Sequence, residues 1–587
     1  MKKLLSLIIS LILILSLGLS AFAAPVEEIG LADPIIYEPE TKLIGAPVVI
    51  ENISTIENLK NLDKSPAPQG AWLDIGSARD MDAISIGKEK IALSYFLTCC
   101  ETTTPILKVN NKRTAEALYN YLLEENEIDL IIASQSTSAL KFFAKQSLDN
   151  ITLAYIAKEK AKLEKIAETT HELGAKICVL EKADRETAEY LQSRFLSVTF
   201  FNEDLNTRDS LDSATNCGAN GVVVNSAADT YKLYEKVKKT TYIRKPFIVA
   251  NTAILSTKEA ANTLEDLTKA FKAGADSVAV KIKFDEDDQV ICFSDQKSLD
   301  KASLFEELCE TLSEQKVLKT LMLEINDNNT QLVKEIKKIA KKKDVLNRIL
   351  IINADPDVVK ICREIIPEVG IGKIVNNDEA QTTVPSLLGN SSLIFEIETP
   401  KDSETVADDV SAELKTAGKT GALFLKTDYA DLGKEFKDSI KFKSALDIFG
   451  DIEVTGISIN KITLELRTGK SKTIKATVSP ENATNKKVTW KSSDTKVATV
   501  DKNGMISAKR AGKTVITATA DGGKFVTCVV TVKGYLVLIL LILLFLGLIG
   551  SGFYIFKIKK INLKNIKLKI PEFKKKTNDD TKKPKHF

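Results

Sequence analysis

Histidine is nearly absent from this chain. Its 587 residues hold only His171 and His586. That count excludes a His-rich metal site and any mechanism that needs two histidines inside the folded body. None of the eight cysteines forms a C-x-x-C pair, and no P-loop, G-x-G-x-x-G or G-x-S-x-G string stands in a fitting context. Net charge is also scarce, at +3 from 82 basic and 79 acidic residues. The balance is uneven, because residues 557–587 hold twelve lysines against Glu572, Asp579 and Asp580. The rest of the chain is therefore acidic, which argues against nucleic acid as a partner, since phosphate binding needs clustered positive charge. An apolar share of 44% with 27% charged residues is ordinary for folded protein. At about 100–200 residues per domain, the length predicts several domains.

The two ends predict a membrane protein. Lys2 and Lys3, the apolar run that follows them and Ala21-Phe22-Ala23 have the layout of a secretory signal peptide over residues 1–23, with a linker at 24–44. An uncleaved signal anchor fits the same features. Residues 535–556 carry no charge and are long enough to cross a bilayer as a helix. The lysines after Phe556 place residues 557–587 on the cytoplasmic side, giving a single-pass type I cell-membrane protein with the bulk of the chain extracellular. The tail alternates lysine with Ile and Leu, which suits either an anionic lipid surface or a disordered stop-transfer segment.

Between residues 454 and 533, short β-rich runs alternate with turn signals, as in an antiparallel sandwich. Asn503-Gly504 marks a tight hairpin. The stretch VSPENATNKKVTWKSSDTKVATVDKNGMISAKRAGKTVITATA and the closing CVVTV resemble the group 2 bacterial Ig-like family. The resemblance implies an extracellular β-sandwich used as a spacer or adhesion module, without catalytic residues. Trp490 and Cys528 would lie in its core.

Residues 45–450 alternate β-rich apolar strings with amphipathic helices, the pattern of a parallel sheet with helical crossovers. Eight strings fall in each half: VVIEN, AWLDIG, PILKVN, IDLIIASQ, TLAYIA, AKICVLEKA, SVTFFNE and GVVVNS, then FIVANT, SVAVKI, VICFSD, LMLEIN, RILIINA, KIVNN, SLIFEIE and GALFLKTD. The predicted fold is two (β/α)8 barrels at 45–238 and 239–450, with a boundary in the charged stretch Lys238–Lys245. An open doubly wound sheet is the alternative.

The opening of the second half, PFIVANTAILSTKEAANTLEDLTKAFKAGADSVAVKIKFDEDDQVICFSD, resembles the glycerophosphodiester phosphodiesterase family segment by segment. The family's His-Arg-Gly is placed on Ala250-Asn251-Thr252, its Glu-Leu-Asp on Ala279-Val280-Lys281 and its His-Asp on Ser294-Asp295. Ala273-Gly274-Ala275-Asp276 is kept, and the Leu-Glu-Ile-Lys strand is Leu323-Glu324-Ile325-Asn326. In that family two histidines act as acid and base while strand-end carboxylates hold a divalent cation. Here the histidine positions are Ala250 and Ser294, and neither residue shuttles protons near neutral pH. Lys281 would repel a cation where a ligand is required, and Glu324 alone falls well short of the 6–8 oxygens usual for Ca²⁺. The first half is more diverged. Trp72 and Asp74 take its ligand positions, Lys108-Val109-Asn110 replaces Glu-Ile-Lys, and Asn202 and Asn225 lie where the family often has polar loop residues.

The predicted function is therefore a membrane-anchored cell-surface protein whose tandem degenerate barrels bind or scaffold an extracellular ligand. That ligand would be a wall polymer, a glycerophosphodiester or a protein, and the Ig-like module would hold the barrels off the membrane. No catalytic residue and no cofactor is assigned, and the expectation leans away from an enzyme. The alternatives are an adhesin led by the Ig-like module, or a divergent phosphodiesterase using Ca²⁺ or Mg²⁺ with Glu324, Asp295 and Asp74 as residual candidates. His171, in AETTHELG, reads as a surface histidine at a helix end. FDEDDQ (284–289) reads as a solvated turn rather than a calcium loop. Cys178, Cys292 and Cys528 read as small core residues, and Cys99-Cys100 as a pair able to form one external bridge.

Overall fold

The computed structural model describes residues 41–559 except 63, 65, 124–128, 147–149, 252–263, 294–301, 376–391, 398–405 and 482. The expected signal peptide, nearly all of the linker and the lysine-rich tail beyond residue 559 lie outside the described residues. The chain divides at Gly450 into two compact units.

The first unit opens on a closed barrel of eight parallel strands: Val48–Asn52, Gly70–Gly76, Thr104–Val109, Leu130–Ser134, Ile151–Ile156, Ile177–Leu180, Ser197–Phe200 and Gly221–Val224. The last closes on the first, with Gly221 opposite Val48. These strands are apolar strings because both of their faces are buried. Ile50, Trp72, Ile106, Ala154, Val179 and Val223 fill the lumen. The alternate positions Val49, Leu73, Leu107, Val198 and Val222 pack outward, in a cluster with the helices. The open-sheet alternative is not what forms.

A second closed barrel follows, with seven described strands rather than the eight expected: Phe247–Asn251, Ser277–Phe284, Thr320–Glu324, Ile349–Ile352, Gly370–Val375, Leu393–Glu396 and Phe424–Thr427. Phe247 pairs with Phe424, and Val249 with Ser277, to close it. The expected count fails at VICFSD. Val290–Phe293 turns back antiparallel on Ser277–Phe284, through a turn in which Asp285 accepts from the amides of Asp287 and Gln289.

The two barrels meet through the N-terminal ends of their strands. Arg194 and Phe195 stand just before the Ser197–Phe200 strand of the first barrel. Arg194 donates from Nε to the Asn347 carbonyl at 3.2 Å and from Nη2 to the Val317 carbonyl at 2.8 Å. Both carbonyls precede strands of the second barrel. Phe195 enters that barrel's lumen among Phe247, Met322, Leu350 and Phe424. Gly370 and Gly372 leave the room, since a Cβ on Gly372 would lie 2.7 Å from the Phe195 ring. The C-terminal mouths of the barrels therefore open away from one another. Beyond the second barrel the chain returns to the first, where the Ala445 amide donates to Asn216 at 2.8 Å and Phe449 stacks on Tyr234.

His171 lies in this seam and not on the surface. It falls in the last turn of the Leu163–Glu172 helix, as expected, but is only 6% exposed. Its Cε1 sits 3.1 Å from where a Gly370 Cβ would be. The eight cysteines are free thiols, so Cys99 and Cys100 form no bridge, and Cys100 is buried.

In the second unit, strands make a sandwich that is antiparallel except where Thr463–Arg467 runs parallel to Phe525–Lys533. Thr463–Arg467, Phe525–Lys533, Gly512–Thr519 and Thr489–Ser492 form one sheet, and Ser471–Thr473, Met505–Ala508 and Ala498–Val500 another. Cys528 is fully buried between them and Trp490 is partly buried against the same cluster. Asn503-Gly504 forms the expected turn, with the Gly504 amide donating to the Asp501 carbonyl. Gly504 has φ +77°, and a Cβ there would meet the Ile474 carbonyl oxygen at 2.5 Å.

The membrane expectation is overturned. Among the described residues no helix is long and apolar enough to cross a membrane. The expected span at 535–556 lies on the Leu536–Lys559 helix. The single-pass, type I cell-membrane placement that rested on this span falls with it.

Candidate functional site

The C-terminal mouth of each barrel is where such a fold assembles side chains from several strands. In the first barrel, alternation carries the lumen series Gly70 and Trp72 out to Asp74, and Ile106 out to Lys108. Trp72 packs at 4.9 Å on Phe201 and floors the mouth. Above it, Lys108 Nζ lies 2.8 Å from Asp74 and 3.3 Å from Glu203, the latter from the loop beyond the Ser197–Phe200 strand. Burial opposes the charged form of Lys108, but the two carboxylates together outweigh it and raise its pKa. Lysine thus sits between two carboxylates that converge there. Asn202 and Asn225 serve local turns: Asn202 accepts from the Asp204 amide, and Asn225 donates to the Leu205 carbonyl.

In the second barrel Lys281 and Glu324 stand opposite one another in parallel register. Glu324 is partly exposed and accepts from the Asn326 amide at 3.2 Å. Lys426, 7% exposed, holds Glu396 at 2.7 Å. Ala279, at the other expected ligand position, is buried in the lumen cluster. Ala250 does not face this mouth. It is buried among Leu267, Ala270 and Val278 on the outer side, while Phe247 and Val249 face the lumen. No histidine stands at this strand end. Ser294 and Asp295 lie outside the described residues.

The structure therefore brings Asp74 together with Lys108 and sets Glu324 beside Lys281, but it gathers no ligand shell. Among the described residues no three His, Cys, Asp or Glu side chains group in metal-binding fashion. Glu203, Glu396 and Lys426 escaped the sequence reading. Glu396 stands within SLIFEIE and Lys426 within GALFLKTD, and charges inside otherwise apolar strings are the signal that would have found both.

Residues 453–530 match the bacterial Ig-like domain (group 2) family. An uncharacterised protein of Clostridium acetobutylicum is 32% identical over 146 residues, covering 24% of this chain and 36% of that protein. An Ig-like virion protein of Serratia phage KSP90 is 29% identical over 240 residues, covering 40% of this chain and 88% of that protein. The chain spans about a third of the length of the first of these relatives. Among solved structures, a glycerophosphodiester phosphodiesterase from Parabacteroides distasonis is 13% identical with a TM-score of 0.27, covering 33% of this chain and 98% of that one.

Proposed function

We propose that this is a surface- or virion-associated protein whose barrels bind an extracellular ligand without hydrolysing it, with the Ig-like module as a spacer. The observation that carries this reading is Lys108 between Asp74 and Glu203, 2.8 Å and 3.3 Å away. An ammonium group there neutralises the carboxylates that a divalent cation would otherwise need. The second mouth follows the same logic, with Lys281 in register with Glu324. A mouth holding lysines suits the anionic group of a phosphodiester, a wall polymer or an acidic protein segment. The Ig-like match and the virion protein among the relatives fit a surface setting.

Equilibrium dialysis of the purified chain against glycerophosphodiesters, followed by product analysis, tests the reading. Retention of intact diester, weakened by Lys108→Ala, is the expected result. Release of glycerol phosphate in step with protein concentration overturns it.

A further inference from the structure

The second barrel carries a separate recess at its N-terminal end, away from its mouth. Its volume is about 340 Å³, and five lysines line it: Lys272, Lys316, Lys319, Lys434 and Lys437. They come from three places in the chain. Lys272 ends the Leu264–Ala273 helix, Lys316 and Lys319 follow the Phe305–Ser313 helix, and Lys434 and Lys437 lie on Ala430–Ser439.

Among the described residues two carboxylates form ion pairs with these lysines, and both are already engaged. Asp276 accepts from the Ile248 amide at 2.8 Å and from Lys437 at 2.6 Å, with Lys319 at 3.6 Å. Asp438 pairs with Lys434 at 2.9 Å. Lys272 and Lys316 make no ion pair with any described residue and are exposed. Helix-dipole compensation explains one cation at each helix end, and Lys272 and Lys437 meet that need. Lys316, Lys319 and Lys434 are in excess of it. Lys319 is half-buried, and burial first, then the neighbouring charge of Lys437, pushes its pKa down against the opposing pull of Asp276. An anion in the recess would relieve that repulsion.

We propose that this recess binds a multiply charged, phosphate-bearing anion. Its volume lies at the small end of the range for ligand sites, about 300–1,000 Å³. Its lining has no arginine, so it offers mobile point charges rather than planar forks, which suits phosphates presented in varied orientation. The proposal stands apart from the mouths and does not depend on their reading.

Calorimetric titration of the full chain with tripolyphosphate, and in parallel with a short glycerol-phosphate oligomer, tests it. Saturable binding that weakens with added salt is expected. Lys272→Gln with Lys316→Gln should weaken it roughly tenfold or more, because each change removes one charge-assisted contact to the anion. Lys272→Arg with Lys316→Arg should retain it, and so should Lys108→Ala in the first mouth. Binding of both probes assigns the recess to a polymer, and binding of tripolyphosphate alone assigns it to a small phosphorylated anion. Absence of binding by either probe, or the same affinity in the folded double glutamine variant, overturns the proposal and leaves the lysines as helix-end charges. Thermal melts of the variants establish that they fold.

Discussion

The Phe195 ring of the first barrel meets the Phe424 ring of the second edge to face, 4.9 Å between centroids and 73° between planes. One barrel thus supplies a core residue of the other. Phe195 holds φ at +64°, a conformation that costs a bulky residue energy and persists only where packing fixes it. Phe195→Ala should destabilise the first unit by about 3–5 kcal/mol. Gly372→Ala should do comparable damage from the opposite side, since the new methyl would lie 2.7 Å from both the Phe195 ring and the Ser392 carbonyl. Urea denaturation of residues 41–450 should show one transition in the parent and two in the variants. An unchanged midpoint in both variants contradicts the plug.

Acid should weaken the same seam. Burial, with the Arg363 guanidinium acting the same way, lowers the His171 pKa from 6.5 to about 3. The unfolded chain therefore takes up this proton more readily than the folded one. Stability from this group is complete above about pH 6.5 and falls as the pH drops toward 3. Between pH 7 and pH 5 the loss should be about 2 kcal/mol. His171→Gln, compared with the parent by urea midpoint at both pH values, should remove that part of the acid sensitivity. Equal losses in parent and variant would sink the assignment.

In the first mouth, Lys108→Met should leave Asp74 and Glu203 without their cation. The variant should then bind Ca²⁺ weakly, with a dissociation constant on the order of 10⁻³ M, where the parent shows no response. Calorimetric titration reads this out. A variant as indifferent to Ca²⁺ as the parent would show that Lys108 does not stand in a cation's place.

The Ig-like unit offers a simpler check. Gly504→Ala puts a methyl 2.5 Å from the Ile474 carbonyl oxygen at φ +77°. A loss of about 2 kcal/mol or more is expected in the thermal melt of residues 451–533. A melt within a degree of the parent contradicts the turn geometry.

Much of this architecture was legible in the sequence. The first barrel's eight strings read directly because strands buried on both faces are continuously apolar. VICFSD misled because a hairpin strand packed on a barrel has the same composition as a barrel strand. Gly370 and Gly372 stand just before the string KIVNN, but what approaches them, Arg194 and Phe195 respectively, lies far away in sequence. His171 read as a surface residue because a helix end says nothing about what covers it. The lysine recess was invisible, since its five members are scattered from Lys272 to Lys437 and only the fold unites them. The scarcity of histidine was legible, but the pairing of Asp74 with Lys108 needed the strands in register.

The central claim is that these barrels bind without hydrolysing, and turnover tests it most directly. Purified chain incubated with glycerophosphodiesters and Ca²⁺ or Mg²⁺ should release no more glycerol phosphate than the buffer does, with Glu324→Gln indistinguishable from the parent. Metal-dependent release that Glu324→Gln abolishes would contradict the account and restore the second mouth as an active site.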